Sequence, residues 1–195
     1  MKKQNLLTLA IATVIVTVTA SPMMAYTLLS PRRTWATVPV TVQVNNAGNS
    51  SVNDSDHGVT AVVGAIRAWG IVNSSSTGSV AVRGTAPATI MLNTNGHICT
   101  GSCLAATLTG YYTGSTITDA DIYTNTKYNY TSSRETDGCS GEYDIDGIMT
   151  HEVGHVIGLG HSSVAGATMY PSVSSCNFNN RSLEADDLAG KNDLY

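Results

Sequence analysis

The chain has 195 residues, only 12% of them charged, and a formal net charge of −4. That length holds one domain or at most two small ones. The acidic balance excludes nucleic acid as a partner, because phosphate binding needs a concentrated basic surface.

The first residues read as an export signal. Lys2 and Lys3 precede an apolar run over residues 6–18, interrupted only by single threonines, and small residues follow at Ala20, Ser21 and Ala25. A membrane anchor is the alternative, but the run is shorter than the roughly 20 residues that span a bilayer. Cleavage is expected after Ala20 or after Ala25, so residues 1–25 are taken as the signal and 26–195 as the mature domain. Its removal takes two lysines and no acid, so the formal charge falls from −4 to −6. No second long apolar segment follows, and a secreted protein without a membrane span is expected, extracellular or periplasmic.

Residues 38–44 read V-P-V-T-V-Q-V, the period of two that marks a strand, with the proline near its start. Residues 45–56 are rich in Asn, Ser, Asp and Gly and predict a loop. Val59, Val62, Val63, Ile66 and Trp69 then recur at steps of three and four, a helix with one apolar face, capped by Ser55 or Asp56. The Ser- and Gly-rich residues 73–79 predict a turn. Residues 89–92 read as a short strand, 104–112 as another, Gly114 as a turn, and 117–124 as a third strand with Ile117 and Ile122 buried. A polar loop over 131–142 precedes a second helix that begins between Tyr143 and Gly147 and runs through His155. Residues 183–194 predict a terminal helix with acidic residues early.

Cys99, Cys103, Cys139 and Cys176 fit two disulfides in an exported protein. Three pairings exist; a local Cys99–Cys103 bridge and a long-range Cys139–Cys176 bridge are expected. The second would contribute about 4 kcal/mol by the chain-entropy estimate. A metal held by His97, Cys99 and Cys103 is the competing use.

The segment that carries chemistry is His151-Glu152-Val153-Gly154-His155-Val156-Ile157-Gly158-Leu159-Gly160-His161. Two histidines four residues apart lie one turn apart on a helix face, so both rings reach one ion. Glu152 is rotated about 100° around the axis and reaches a water beside the ion, not the ion as an ideal ligand. On an unbroken helix His161 would point away. Gly158 resolves this, because glycine accepts the left-handed backbone that ends a helix. Three neutral imidazoles with an open position suit one catalytic zinc.

The extended signature resembles that of the metzincin zinc metallopeptidases, and Ser162 directly after His161 is similar to the matrixin branch. Ala167-Thr168-Met169-Tyr170-Pro171 resembles the matrixin Met-turn, which implies that Met169 packs as an apolar floor under the histidines without ligating metal. The order of elements is similar to a matrixin catalytic domain: α+β, zincin-like, a twisted mixed sheet with an antiparallel edge strand, an active-site helix and a C-terminal helix. Leu183 with Asp186-Asp187 resembles the family's last helix. What the resemblance implies is a secreted zinc endopeptidase, expected to be monomeric, acting on protein or peptide substrates. Glu152 would serve as general base, and an extended substrate would add to the strand over residues 104–109. Leu104, Ala105 and Ala106 on that strand, and Pro171, Ser172 and Val173 on the opposite wall, are the candidate substrate-binding residues.

Three departures from the family pattern stand out. Residues 26–35 lead straight into the domain and no free cysteine precedes the site, so latency through a cysteine switch is not expected. The loop that carries additional structural zinc and calcium in animal matrixins is shortened, so those sites are not carried over. Val173 replaces the usual tyrosine, so substrate preference does not transfer. Asp144-Ile145-Asp146-Gly147 could offer calcium ligands, but an acidic first turn favoured by the helix dipole is the preferred reading. The rival from another class is a secreted, non-catalytic binding or adhesion module that keeps zinc for stability. Glu152 speaks against it, since a structural site has no use for that carboxylate.

Overall fold

The computed structural model describes residues 25–77, 89–91, 98–133 and 138–195. The expected export signal up to residue 24, the end of the expected strand at Leu92, and His97 as an alternative ligand lie outside them, with residues 134–137 of the polar loop. β1 (Thr34–Trp35) is a two-residue strand. In β2 (Val40–Asn45), Val40, Val42 and Val44 are buried and Thr41 is exposed, the alternation its sequence carries. α1 (Val59–Ala68) turns Val62, Ala65 and Ile66 inward, and Trp69 just past its end is fully buried.

The start of α1 differs from expectation. The N-cap position is held by Gly58, in the left-handed region at φ 85°, while the expected cap Asp56 serves the first turn through its side chain. The turn at Gly58 brings the helix N–H groups back onto two preceding carboxylates. Asp56 accepts from Gly58 at 3.2 Å and Thr60 at 3.0 Å, and Asp54 accepts from Gly58 at 2.9 Å. Asp56 thus caps the helix from two residues upstream.

Residues 73–77 also depart from the expected turn. They run within β3 (Val72–Thr77), parallel to β2 in register from Val40↔Val72 to Asn45↔Thr77. A parallel pair needs a crossover, and α1 supplies it. β3 lies at the sheet edge, where its main chain has one neighbour to satisfy. Pairing there outweighs the weak strand propensity of Ser and Asn.

β4 (Thr89–Met91), β5 (Ala105–Thr113) and β6 (Thr116–Thr124) complete the sheet. β4 lies between β2 and β6, parallel to both. β5 folds back antiparallel on the other side of β6 through a tight turn at Gly114, φ 61°. It begins one residue later than its sequence suggests and pairs with no other described strand. β1 lies parallel to the first residues of β6. The sheet is mixed, with an antiparallel edge, as expected.

β7 (Tyr130–Thr131) and β8 (Tyr143–Asp144) pair as a short parallel ribbon. They precede α2 (Ile145–Val156), a single 3-10 turn (Asn179–Arg181) and α3 (Ala185–Leu194). α1 and α2 share one core with the sheet, including Val42, Val44, Ile66, Ile122, Met149 and Val153. Trp69 joins the two helices: its buried Nε1–H donates to the Thr150 carbonyl at 2.8 Å, one residue before His151. The disulfides are Cys99–Cys103 and Cys139–Cys176, the expected pairing.

Candidate active site

α2 is anchored at its first turn before it presents any functional group. Asp144 is its N-cap and accepts from the Gly147 N–H at 3.1 Å. The Arg181 guanidinium binds both oxygens of that carboxylate, Nε at 2.7 Å and Nη2 at 2.6 Å, and lies 3.9 Å from Asp146. The two acidic residues are therefore engaged in a cap and an ion-pair cluster whose cation the sequence alone did not single out.

His151 and His155 project from one face of this helix, with ring centroids 4.8 Å apart. Two residues past the end of α2, Gly158 takes φ 107°, and a Cβ there would strike the Arg33 carbonyl. The chain reverses at this glycine, and His161 returns to place its ring 5.2 Å from His151 and 4.9 Å from His155. One ligand atom from each of the three lies within 4.8 Å of the others. The structure thus brings together the three histidines singled out from the sequence.

The donor set fits a metal. His151 Nδ1 lies 2.7 Å from the Thr168 carbonyl and His155 Nδ1 lies 2.8 Å from the Leu159 carbonyl. Carbonyls only accept, so each ring carries its proton on Nδ1 and presents a lone pair at Nε2. The two Nε2 atoms face each other at 3.1 Å. Two facing lone pairs are satisfied by a shared cation and not by a hydrogen bond. Burial pushes both imidazoles down to about 4, so both are neutral at pH 7.

Glu152 stands beside this group, 5% exposed. Burial raises its carboxyl above the usual range, opposed by His155 and by a hydrogen bond from Thr107. The Thr107 hydroxyl on β5 lies 2.5 Å from Glu152 Oε2 and 3.0 Å from the Glu152 main-chain oxygen.

Met169 is 1% exposed and packs against α2 where Gly154 leaves room. A Cβ at Gly154 would run into Met169 Sδ and the Trp69 ring. An interior glycine costs a helix about 1 kcal/mol against alanine, so Gly154 between two site histidines is the sequence signal for this close approach. The turn carrying Met169 is held from α3. Asp187 accepts from the N–H groups of Thr168 at 2.8 Å, Met169 at 2.9 Å and Glu184 at 2.9 Å. Its neighbour Asp186 accepts from the Ser162 hydroxyl at 2.6 Å and from the N–H groups of Ala25 and Tyr26. Both roles escaped the sequence reading, which placed these acids early in a terminal helix resembling the last helix of the family.

An open cleft of about 650 Å³ runs over the histidines and Glu152. Leu104, Ala105 and Ala106 line it from the β5 side, and Pro171, Ser172 and Val173 line it after the Met169 turn. All the candidate substrate-binding residues therefore border one cavity.

Comparison with known families gives a single answer. The Matrixin model matches residues 86–195, more than half of the chain, and takes in the whole site. The chain belongs to the matrixin family. It is 43% identical over 60 residues to matrilysin of Rattus norvegicus, which covers 31% of this chain and 22% of that protein. It is 44% identical over 52 residues to metalloendoproteinase 4-MMP of Arabidopsis thaliana, 27% of this chain and 15% of the relative. With metalloendoproteinase 1 of Glycine max it shares 38% identity over 77 residues, 40% of this chain and 24% of the relative. The matched segments span less than a quarter of the length of these proteins. Membership in the matrixins implies dependence on zinc, which agrees with the donor set of the three histidines. Among the described residues of this matrixin, no helix is long and apolar enough to cross a membrane.

Proposed function

We propose that the protein is an exported zinc-dependent endopeptidase, with residues 1–25 as the removable signal and 26–195 as the catalytic unit. The observation that carries this reading is the convergence of three imidazoles beside a buried carboxylate, in a cleft bordered by a sheet edge. His151, His155 and His161 hold the metal. Bound there, zinc supplies Lewis acidity toward a water and a peptide carbonyl.

The protein's own groups do the rest. Glu152 takes a proton from the attacking water, and burial raises its affinity for that proton. The water oxygen bonds to the peptide carbon, the carbon–nitrogen bond breaks, and Glu152 passes the proton to the leaving amine. Met169 and Gly154 fix the packing beneath α2, and the Thr168 and Leu159 carbonyls fix the ring orientations. β5 has an unpaired outer edge among the described strands, and an extended peptide adds to it as a further strand. Pro171, Ser172 and Val173 form the facing wall.

The test is digestion of a proteome-derived peptide library by the mature protein, with and without a zinc chelator, beside the Glu152→Gln variant. Cleavage that the chelator abolishes, and that the variant loses while still binding one zinc, is the expected result. A folded, zinc-loaded protein that cleaves nothing would favour the binding module instead, and undiminished turnover by the variant would remove Glu152 as the base.

A further inference from the structure

We infer that Thr107 is a positioning residue that orients the Glu152 carboxylate for the reaction. The inference rests on the reading of Glu152 as the base. Thr107 is the third residue of β5, the strand that borders the cleft, and its Oγ lies 2.5 Å from Glu152 Oε2. Among the described residues no other donor binds this carboxylate. Both neighbours of the hydroxyl, the carboxylate oxygen and the Glu152 main-chain carbonyl at 3.0 Å, only accept. The single hydroxyl proton therefore points toward Glu152, and the hydroxyl is held between two atoms of one residue.

The consequence is a distinction between two otherwise equivalent oxygens. Oε2 is tethered, so rotation about the last side-chain bond is stopped, and Oε1 is the oxygen left to receive a proton. A glutamate has three rotatable side-chain bonds, and packing alone does not fix the last of them, whose torsion is broad and roughly two-fold. The tether also comes from the strand to which a substrate main chain would add. Seating a peptide on β5 and orienting the base thus depend on the same short piece of backbone. The residue type matters: valine has the same branched shape but no hydroxyl, and serine keeps the hydroxyl without the methyl group.

The experiment compares wild type, Thr107→Val, Thr107→Ser and Glu152→Gln as zinc-loaded mature proteins. Loss of one hydrogen bond to a charged group predicts that Thr107→Val lowers kcat about tenfold, with KM and zinc content unchanged. Thr107→Ser restores most of that loss. A second readout does not depend on turnover. In isotope-edited infrared spectra of protein with 13C-labelled glutamate, the carboxylate band that Glu152→Gln removes should shift in Thr107→Val and return in Thr107→Ser. Unchanged kcat in Thr107→Val, an effect on KM alone, equal losses in the valine and serine variants, or a band that stays in place would each overturn the inference. Full turnover by Glu152→Gln would count against the base itself, and the infrared comparison would still decide whether Thr107 holds the carboxylate.

Discussion

Asp187, in the first turn of α3, accepts the main-chain N–H of Met169 at 2.9 Å with one oxygen and that of Thr168 at 2.8 Å with the other. The carboxylate is fully buried, so the last helix holds the methionine turn through main-chain atoms. Thr168 in turn lends its carbonyl to His151 Nδ1, which makes the aspartate the far end of a chain of two hydrogen bonds to the first histidine.

Asp187→Ala leaves three N–H groups, those of Thr168, Met169 and Glu184, without their acceptor. The Thr168 and Met169 groups are buried, and each buried unpaired donor costs about 1–3 kcal/mol, so a loss of at least about 2 kcal/mol is expected in urea unfolding. Zinc affinity, read by chelator competition, should fall roughly 10- to 100-fold, as for other partners that orient a ligand. A variant within about 0.5 kcal/mol of wild type would refute the chain of contacts.

Gly154→Ala sets two effects against each other. Alanine favours the helix by about 1 kcal/mol, but its methyl group would overlap Met169 Sδ and the Trp69 ring. Overpacking in a closed core costs roughly 1–3 kcal/mol, and here both neighbours are buried. A lowered Tm is therefore expected, with weaker zinc binding as α2 moves off the methionine. A raised Tm would mean that the methionine moves aside freely.

The metal-free protein should lose stability in mild acid. Burial pushes His151 and His155 from 6.5 to about 4. Between those values the unfolded chain binds more protons than the folded one, so stability is complete above pH 6.5 and declines as pH falls toward 4. Each ring accounts for at most about 3 kcal/mol. Guanidinium unfolding of chelator-treated protein at four values between pH 7 and pH 4 checks this. A variant carrying glutamine at both positions should show a much shallower decline, and equal slopes would contradict the assignment.

Arg181 and Asp144 form an ion pair whose side chains are 13% and 2% exposed. Removing only the cation strands a buried carboxylate at the head of α2, and breaking such pairs costs roughly 3–5 kcal/mol. Arg181→Ala should fall in that range by equilibrium unfolding. Adding Asp144→Ser keeps a good helix cap while deleting the stranded charge, so the double variant should regain part of the loss. A double variant less stable than Arg181→Ala alone would argue that the charge is needed for more than the pair.

The legible parts of this fold are those where a single residue type has one physical use. The alternating valines of β2, the stepped apolar residues of α1, and the two histidines one turn apart each state their geometry in their spacing. Gly158 was readable because nothing else ends a helix so sharply. The polar run within β3 was not, because its strand is created by pairing with β2, and serine leaves no mark of the neighbour it will meet. Asp186 and Asp187 were visible as acids in a first helical turn, but their acceptor roles are toward residues some twenty positions away. Thr107 carries no periodic or motif signal at all. It becomes significant only when β5 is laid against α2.

The Cys139–Cys176 bridge encloses a stretch of chain that includes all three histidines, Glu152 and Met169. Any single backbone cut inside that ring leaves two pieces still covalently joined. A nicked molecule therefore keeps its full mass and its complement of site side chains until the bridge is reduced, and damage of this kind becomes visible only on a reducing gel.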